Sequence, residues 1–296
     1  MLAEAVKYAG ARLLGQGDRH GHLAQQVALW ARHKRHAAAW APHMERCRAL
    51  ALAAARACPE EARRTALVLG SGLLLEVPLD GLSALFERVV LADMAFLPEV
   101  RARAARLGNV VTLEVDLTGR LDQLDQLDRL DRLDRLDTAP SIPPEIGTIV
   151  SGGPVESAGL AALAAQLPGL DFAYSANLLS QLPLFALAAL PSGMEEERRA
   201  QLAAELVRQH LDGLRSLGCP ACLVTDVTER GLRRGVVDYE ADLLFGVDPG
   251  PGGERWTWRM APRGEAVPGL DVEREVLGMM LVNTLSGPHA PAPETT

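Results

Sequence analysis

The residues best placed for chemistry in this 296-residue chain are a glycine turn, Gly70-Ser71-Gly72, and two aspartates, Asp93 and Asp116. A glycine turn lets backbone approach a ligand closely, and the first amides of a following helix are free to donate hydrogen bonds. Asp93 stands 21 residues beyond Gly72 at the end of an apolar run, where an acidic side chain can accept hydrogen bonds from both ribose hydroxyls of a nucleoside. Asp116 closes a third run, where a carboxylate can accept from an adenine amino group. In chain order these features offer a turn, a sugar anchor and a base anchor. Each alone also has a plain structural explanation, because Gly-x-Gly often makes only a tight connection and Asp caps helices and turns.

The elements that would position them follow from hydrophobic patterning. Thr65-Ala66-Leu67-Val68-Leu69 reads as a buried strand running into the glycine turn, with Val89–Asp93 and Val110–Asp116 as the second and third strands. The segments between them can form helices, so the alternation predicts α/β architecture with crossover connections. Further strands are expected at Phe172–Ala176 and at Ala221–Asp226, the latter after a long amphipathic helix from Met194 to Leu217. Ala241–Val247 and Arg255–Ala261, joined by Asp248-Pro249-Gly250-Pro251-Gly252-Gly253, predict an antiparallel hairpin.

Residues 1–62 read as an N-terminal helical region, with a break around Gly15-Gln16-Gly17 and Pro42 in a first-turn position. Residues 63–286 form the main domain, with an insertion over 118–148, and the Pro-rich segment 287–296 is expected to be a disordered tail. Within the insertion, Leu121–Asp137 repeats a Leu-Asp-(Gln or Arg) triplet. A three-residue period gives no stable apolar stripe on an α-helix, which favours a surface expansion over an interaction helix.

The order of these motifs resembles that of class I S-adenosylmethionine-dependent methyltransferases, over roughly residues 65–262. Ala173-Tyr174-Ser175-Ala176-Asn177-Leu178-Leu179-Ser180-Gln181-Leu182-Pro183 adds to it, being similar to the fourth-strand Asn-apolar-Leu-His-His-apolar-Pro motif of the small-molecule enzymes. The resemblance implies a doubly wound, mostly parallel Rossmann-like sheet with an antiparallel C-terminal hairpin, S-adenosylmethionine as cofactor and a small-molecule methyl acceptor. It places Gly70, Ser71, Gly72, Asp93, Met94, Asp116, Leu117 and Asn177 around the cofactor. His36, Trp40, His43 and Gln181 are the candidate acceptor-binding residues. The chain departs from the family pattern at Val68, where an acidic residue is usual, and at Leu74, where a third glycine is usual. Glu76 either supplies a replacement carboxylate or caps the next helix. Ser180 and Gln181 stand where the family has paired histidines, so no catalytic base is identified.

Two other functions remain open: a noncatalytic binding or scaffold protein with this fold, and a dinucleotide-dependent oxidoreductase. The usual oxidoreductase turn needs glycine where Leu75 stands. A net charge of -8 and a pI near 5.4 argue against a nucleic-acid partner. Cys47, Cys58, Cys219 and Cys222, in a long chain that starts without a signal peptide, suggest a reducing cytoplasm. No apolar run reaches the roughly 18 to 20 residues of a membrane span. His36, Trp40, His43 and Cys47 share one helical face, but lack a tight metal motif, so no metal is expected. Cys219-Pro220-Ala221-Cys222 precedes a strand instead of opening a helix, which favours packing over redox chemistry. Trp256 and Trp258 share one strand face and read as packing residues. Oligomeric state is not readable from the sequence.

Overall fold

The computed structural model describes residues 22–118, 158–188, 190, 193–262 and 264–281. The Gly15–Gly17 break, the Leu-Asp triplets, nearly all of the 118–148 insertion and the 287–296 tail lie outside them.

Helix α1 (His22–Arg56) opens the described chain, and a short 3-10 turn (Glu60–Ala62) leads into β1 (Thr65–Leu69). The order continues α2 (Leu79–Leu85), β2 (Arg88–Asp93), α3 (Pro98–Arg106), β3 (Val110–Glu114), α4 (Ala158–Ala165) and β4 (Leu170–Ala176). After β4 come α5 (Leu182–Ala188), α6 (Glu196–Arg215), β5 (Ala221–Arg233), β6 (Val236–Asp242), β7 (Glu254–Ala261) and β8 (Asp271–Leu281). The sheet runs β3-β2-β1-β4-β5-β8-β7, with β6 paired to β5 off that path. The first five strands pair in parallel, while β8 is antiparallel to both β5 and β7. This is an α/β architecture with a mostly parallel sheet and an antiparallel C-terminal pair, compatible with a Rossmann-like fold.

Alternation along the strands explains the layers. Ala66, Val68, Leu91, Tyr174 and Val224 face a core shared with α1, α2 and α3, whereas Leu67, Leu69, Val90, Ala173 and Leu223 face one shared with α4 and α6. Both faces of β1 are therefore covered, and its five residues are all buried. On α1, Trp40, Met44, Cys47, Ala51 and Ala54 recur at helical spacing and are buried against the sheet. The helical backbone breaks at His36 (φ -121°, ψ 20°), so Pro42 lies inside the helical run beyond the break and not in a first turn.

The carboxyl-terminal strands pair differently from the sequence expectation. Residues 243–247 leave the sheet, and β6 forms its hairpin with β5 through Arg234 and Gly235, whose φ values of 54° and 82° suit a tight primed turn. The Asp248–Gly253 segment joins β6 to β7 without making them partners, because β7 pairs with β8, a strand that the sequence pattern did not mark. The third strand ends at Glu114, leaving Asp116 in the following loop.

On the α6 side, burial lowers the pKa of His210 to about 4, and its Nε2 lies 3.0 Å from Ser175 Oγ of β4. A histidine whose folded pKa is depressed stabilises the fold above its unfolded value near 6.5. That contribution is lost as pH falls toward 4, because the unfolded chain takes up the proton first. Replacing His210 by Gln should shift relative stability in favour of the variant by about 2 kcal/mol between pH 7 and pH 4.5, as read by urea denaturation at each pH.

Candidate functional site

A cavity of about 400 Å³ opens at the carboxyl ends of β1, β2 and β4 and is walled on its other side by α1, β7 and β8. That volume suits a nucleoside-sized ligand. Gly70, Ser71, Gly72, Asp93, Met94, Asp116, Leu117 and Asn177 all line it. Trp40 and Gln181 line it as well, whereas His36 and His43 do not.

The glycine turn is held by the strand beside it. Gly70 N donates to Ala92 O (2.9 Å) and Gly72 N donates to Asp93 Oδ2 (2.7 Å). Gly70 has φ +70°, and a Cβ there would stand 2.7 Å from Leu178 Cβ, so both backbone and packing require glycine. Leu74 also takes a left-handed conformation (φ 62°), yet its side chain is buried. Its packing offsets a backbone strain of about 1–2 kcal/mol.

Asp93 Oδ1 accepts from Met94 N at 2.7 Å, so both carboxylate oxygens already bind backbone amides. A carboxylate has about four acceptor sites, which leaves capacity for ligand hydroxyls. Burial pushes its pKa up to about 6, against the lowering effect of the Gly72, Met94 and Ala95 amides; the Glu114 charge adds to the rise. Asp116 Oδ1 accepts from both the amide and the hydroxyl of Thr118 (2.8 and 2.6 Å), which fixes the loop after β3. Asn177 also has positive φ (51°), and its Oδ1 accepts from Asp226 N at 2.9 Å, tying the end of β4 to β5. Gln181 donates to Asn177 O at 2.7 Å, closing the turn that starts α5. Ser71 Oγ is buried at the cavity without a hydrogen-bond partner.

The opposite wall contains Gln26, Arg32, Trp40, Glu76, Trp258, Met260 and Arg274. Trp40 is fully buried, donates to Met260 O at 2.9 Å and meets Trp258 edge-on at 5.1 Å between centroids. Arg274 is held by Asp226 (2.6 Å) and Glu229 (2.8 Å). Burial pushes the Asp226 pKa up, and Arg274 opposes that shift. His36, outside the cavity, lies 3.3 Å from Glu265.

His43 is buried behind the wall, stacked on Trp258 at 4.2 Å. Its Nδ1 accepts from Trp256 Nε1 at 3.0 Å, and its Nε2 lies 2.9 Å from Glu76 Oε1. The indole is only a donor, so the Nδ1 lone pair faces it and the imidazole proton is on Nε2, donating to Glu76. His43, Cys47 and Glu76 bring potential metal ligands within 4.8 Å of one another. The tautomer opposes a metal there, because Nε2 carries a proton and Nδ1 is occupied, while burial pushes the Cys47 thiol far up. Glu76, which the sequence left between ligand and cap roles, lines the cavity and makes no side-chain cap to α2.

The remaining cysteines are structural in placement. Cys219 and Cys222 are free and buried, face different cores, and burial pushes both thiols up to about 12. Trp256 packs in the core as expected, whereas Trp258 also reaches the cavity wall. Arg274 went unnoticed in the sequence because β8 itself was not recognised. Arg32 and Gln26 carried no signal beyond their place on an amphipathic helix.

No protein-family model matches this chain, and no curated protein matches it. No described helix is long and apolar enough to cross a membrane.

Gly70→Ala should lower stability by about 2–4 kcal/mol, since it adds strain at positive φ and forces Leu178 or the β4 backbone to move. Chemical denaturation checks this, with Gly108→Ala separating the two effects: its φ is +71° but its surroundings are open.

Proposed function

We propose that this chain binds S-adenosylmethionine in the cavity and transfers its methyl group to a small-molecule acceptor. The observation that carries the reading is the convergence of all eight positions assigned by the motif resemblance on one cavity of nucleoside size. The cavity also stands at the switch point of the sheet, between β1 and β4, where open α/β sheets bind ligands.

The residues present fit such a ligand. At Gly72 an added Cβ would find its nearest atoms 3.8 Å away, so backbone is open toward the cavity, and Ser71 Oγ beside it is an unsatisfied buried group. Asp93 would accept from the ribose hydroxyls, Asp116 from the adenine amino group, and Met94, Leu117 and Asn177 would pack around the base and sugar. Bound there, S-adenosylmethionine supplies an electrophilic methyl group on a sulfonium and leaves as a neutral thioether. The chain's own contribution is alignment of two reactants in a small space, which lowers the barrier by removing translational freedom.

Calorimetric titration with S-adenosylhomocysteine should show micromolar binding, and Asp93→Ala should weaken it by about 1–3 kcal/mol through loss of charge-assisted hydrogen bonds. Unchanged affinity would remove Asp93 from the site. Because the ionised carboxylate accepts the hydroxyls and its pKa stands at about 6, wild-type affinity should fall about tenfold from pH 8 to pH 5. The Asp93→Asn variant should lose most of that dependence. Turnover of labelled cofactor with a cell extract then separates a methyltransferase from a noncatalytic binder of the same ligand. Saturable binding of NAD without binding of S-adenosylhomocysteine would overturn the reading in favour of a dinucleotide enzyme.

A further inference from the structure

The charges that line the cavity are compensated unevenly. Arg274 has Asp226 and Glu229, Arg32 has Glu265 at 3.7 Å, and Asp93 has its backbone amides. Glu76, like Asp93, has no cation, but among the described residues no backbone amide donates to its carboxylate either. Its side chain is 14% exposed, and its polar side-chain partner is the neutral His43 imidazole. Among the described residues no Lys or Arg nitrogen lies within 4.0 Å of its carboxylate; Arg48 donates to the neighbouring Leu75 carbonyl at 2.6 Å. A largely buried carboxylate without a cation is costly unless a ligand supplies one.

The structure also fixes where that carboxylate points of support lie. Trp256 holds His43, and His43 holds Glu76 Oε1, so elements at the β5–β8 end of the sheet position the group. The Asp226 charge acts on it from that side, and Arg274, Trp40 and Trp258 line the same wall of the cavity. Asp93 at the end of β2 and Asp116 after β3, by contrast, lie on the other side of the switch point.

We propose that the α1–β7–β8 side of the cavity is a second subsite that takes a small organic amine, bound as its ammonium ion by Glu76. Under the methyltransferase reading, on which this assignment of role rests, the amine is the methyl acceptor. Transfer needs the bound ammonium to give one proton to the Glu76 carboxylate. The freed nitrogen lone pair then forms the new N–C bond as the C–S bond breaks and its electrons stay on sulfur. His43 and Trp256 are positioning residues, since they hold the carboxylate without reaching the cavity themselves.

Benzylamine and its neutral analogue benzyl alcohol test the subsite by calorimetry, on protein saturated with S-adenosylhomocysteine and on protein without it. Benzylamine is expected to bind at least tenfold more tightly than benzyl alcohol. Glu76→Gln should remove that preference while leaving S-adenosylhomocysteine affinity within threefold. Trp256→Phe, which deletes the N–H holding His43 and keeps the carboxylate, should weaken benzylamine several-fold; it serves as the second probe if Glu76→Gln does not fold. Equal affinity for amine and alcohol, or an amine preference that survives Glu76→Gln, overturns the proposal. So does a parallel loss of S-adenosylhomocysteine binding, which would assign Glu76 to the amino-acid end of that ligand. If S-adenosylhomocysteine fails to bind at all, the methyltransferase reading falls, while the benzylamine titration of the ligand-free protein still decides the subsite.

Discussion

Strand β1 hydrogen-bonds to β2 along one edge and to β4 along the other, and the chain leaves these strands toward opposite faces of the sheet. After β1 it enters α2, whose Leu79 and Leu82 pack with α1 and α3; after β4 it reaches α6, whose Val207, Leu211 and Leu214 pack on the other face. Two connections diverging from neighbouring strand ends cannot fill the space between them, and a crevice is left. The glycine turn, Asn177 and the Asp93 loop all border that gap because of this divergence. Glycine at position 70 is then a consequence of geometry, since the start of the β4 connection, Leu178, crosses it at contact distance.

Helix α1 adds a wall to the crevice and deepens it into a cavity. It is integral to the main core, with Leu23, Trp40, Cys47, Ala51 and Ala55 buried, and it spans the sheet from β4 to β7. One helix therefore contributes to folding and to the cavity wall together, so residues that appear suited to ligand contact can be committed elsewhere. His43 is the plainest instance: its two nitrogens are occupied by Trp256 and Glu76, and the side chain that reaches the cavity is Glu76.

The polar interior near β5 follows a similar economy. A register shift against β8 between Asp226 and Thr228 falls where the other edge of β5 passes from β4 to β6. Asp226 is thereby fully buried, with one oxygen on Arg274 and the other without a partner. Arg274 repays part of that cost and caps the cavity wall beside Trp258, at 6.0 Å from its ring.

Local patterns in the sequence determined the parallel half of the sheet. The run Thr65–Leu69 matches β1 residue for residue, and β2, β4, α6 and the start of β5 fall within a few residues of their expected places, because two-sided burial imposes continuous apolar runs and helical burial a 3.6-residue period. That Gly70, Ser71, Gly72, Asp93, Met94, Asp116, Leu117 and Asn177 would gather at one end of the sheet was legible for the same reason: each stands at the end or just beyond the end of such a run. Tertiary structure decided the rest. The sequence signal at Asp248–Gly253 shows that the chain must turn there, but strand partners depend on long-range pairing, and β7 chose β8 over β6. Helical spacing placed His36, Trp40 and His43 on one stripe, yet the break at His36 and packing against β7 separated them into a partly buried contact with Glu265, a buried wall and an orienting group. No local pattern records that the Glu76 carboxylate faces the cavity held by His43 and without a cation, because that depends on side chains brought together from α1, the β1–α2 loop, β7 and β8.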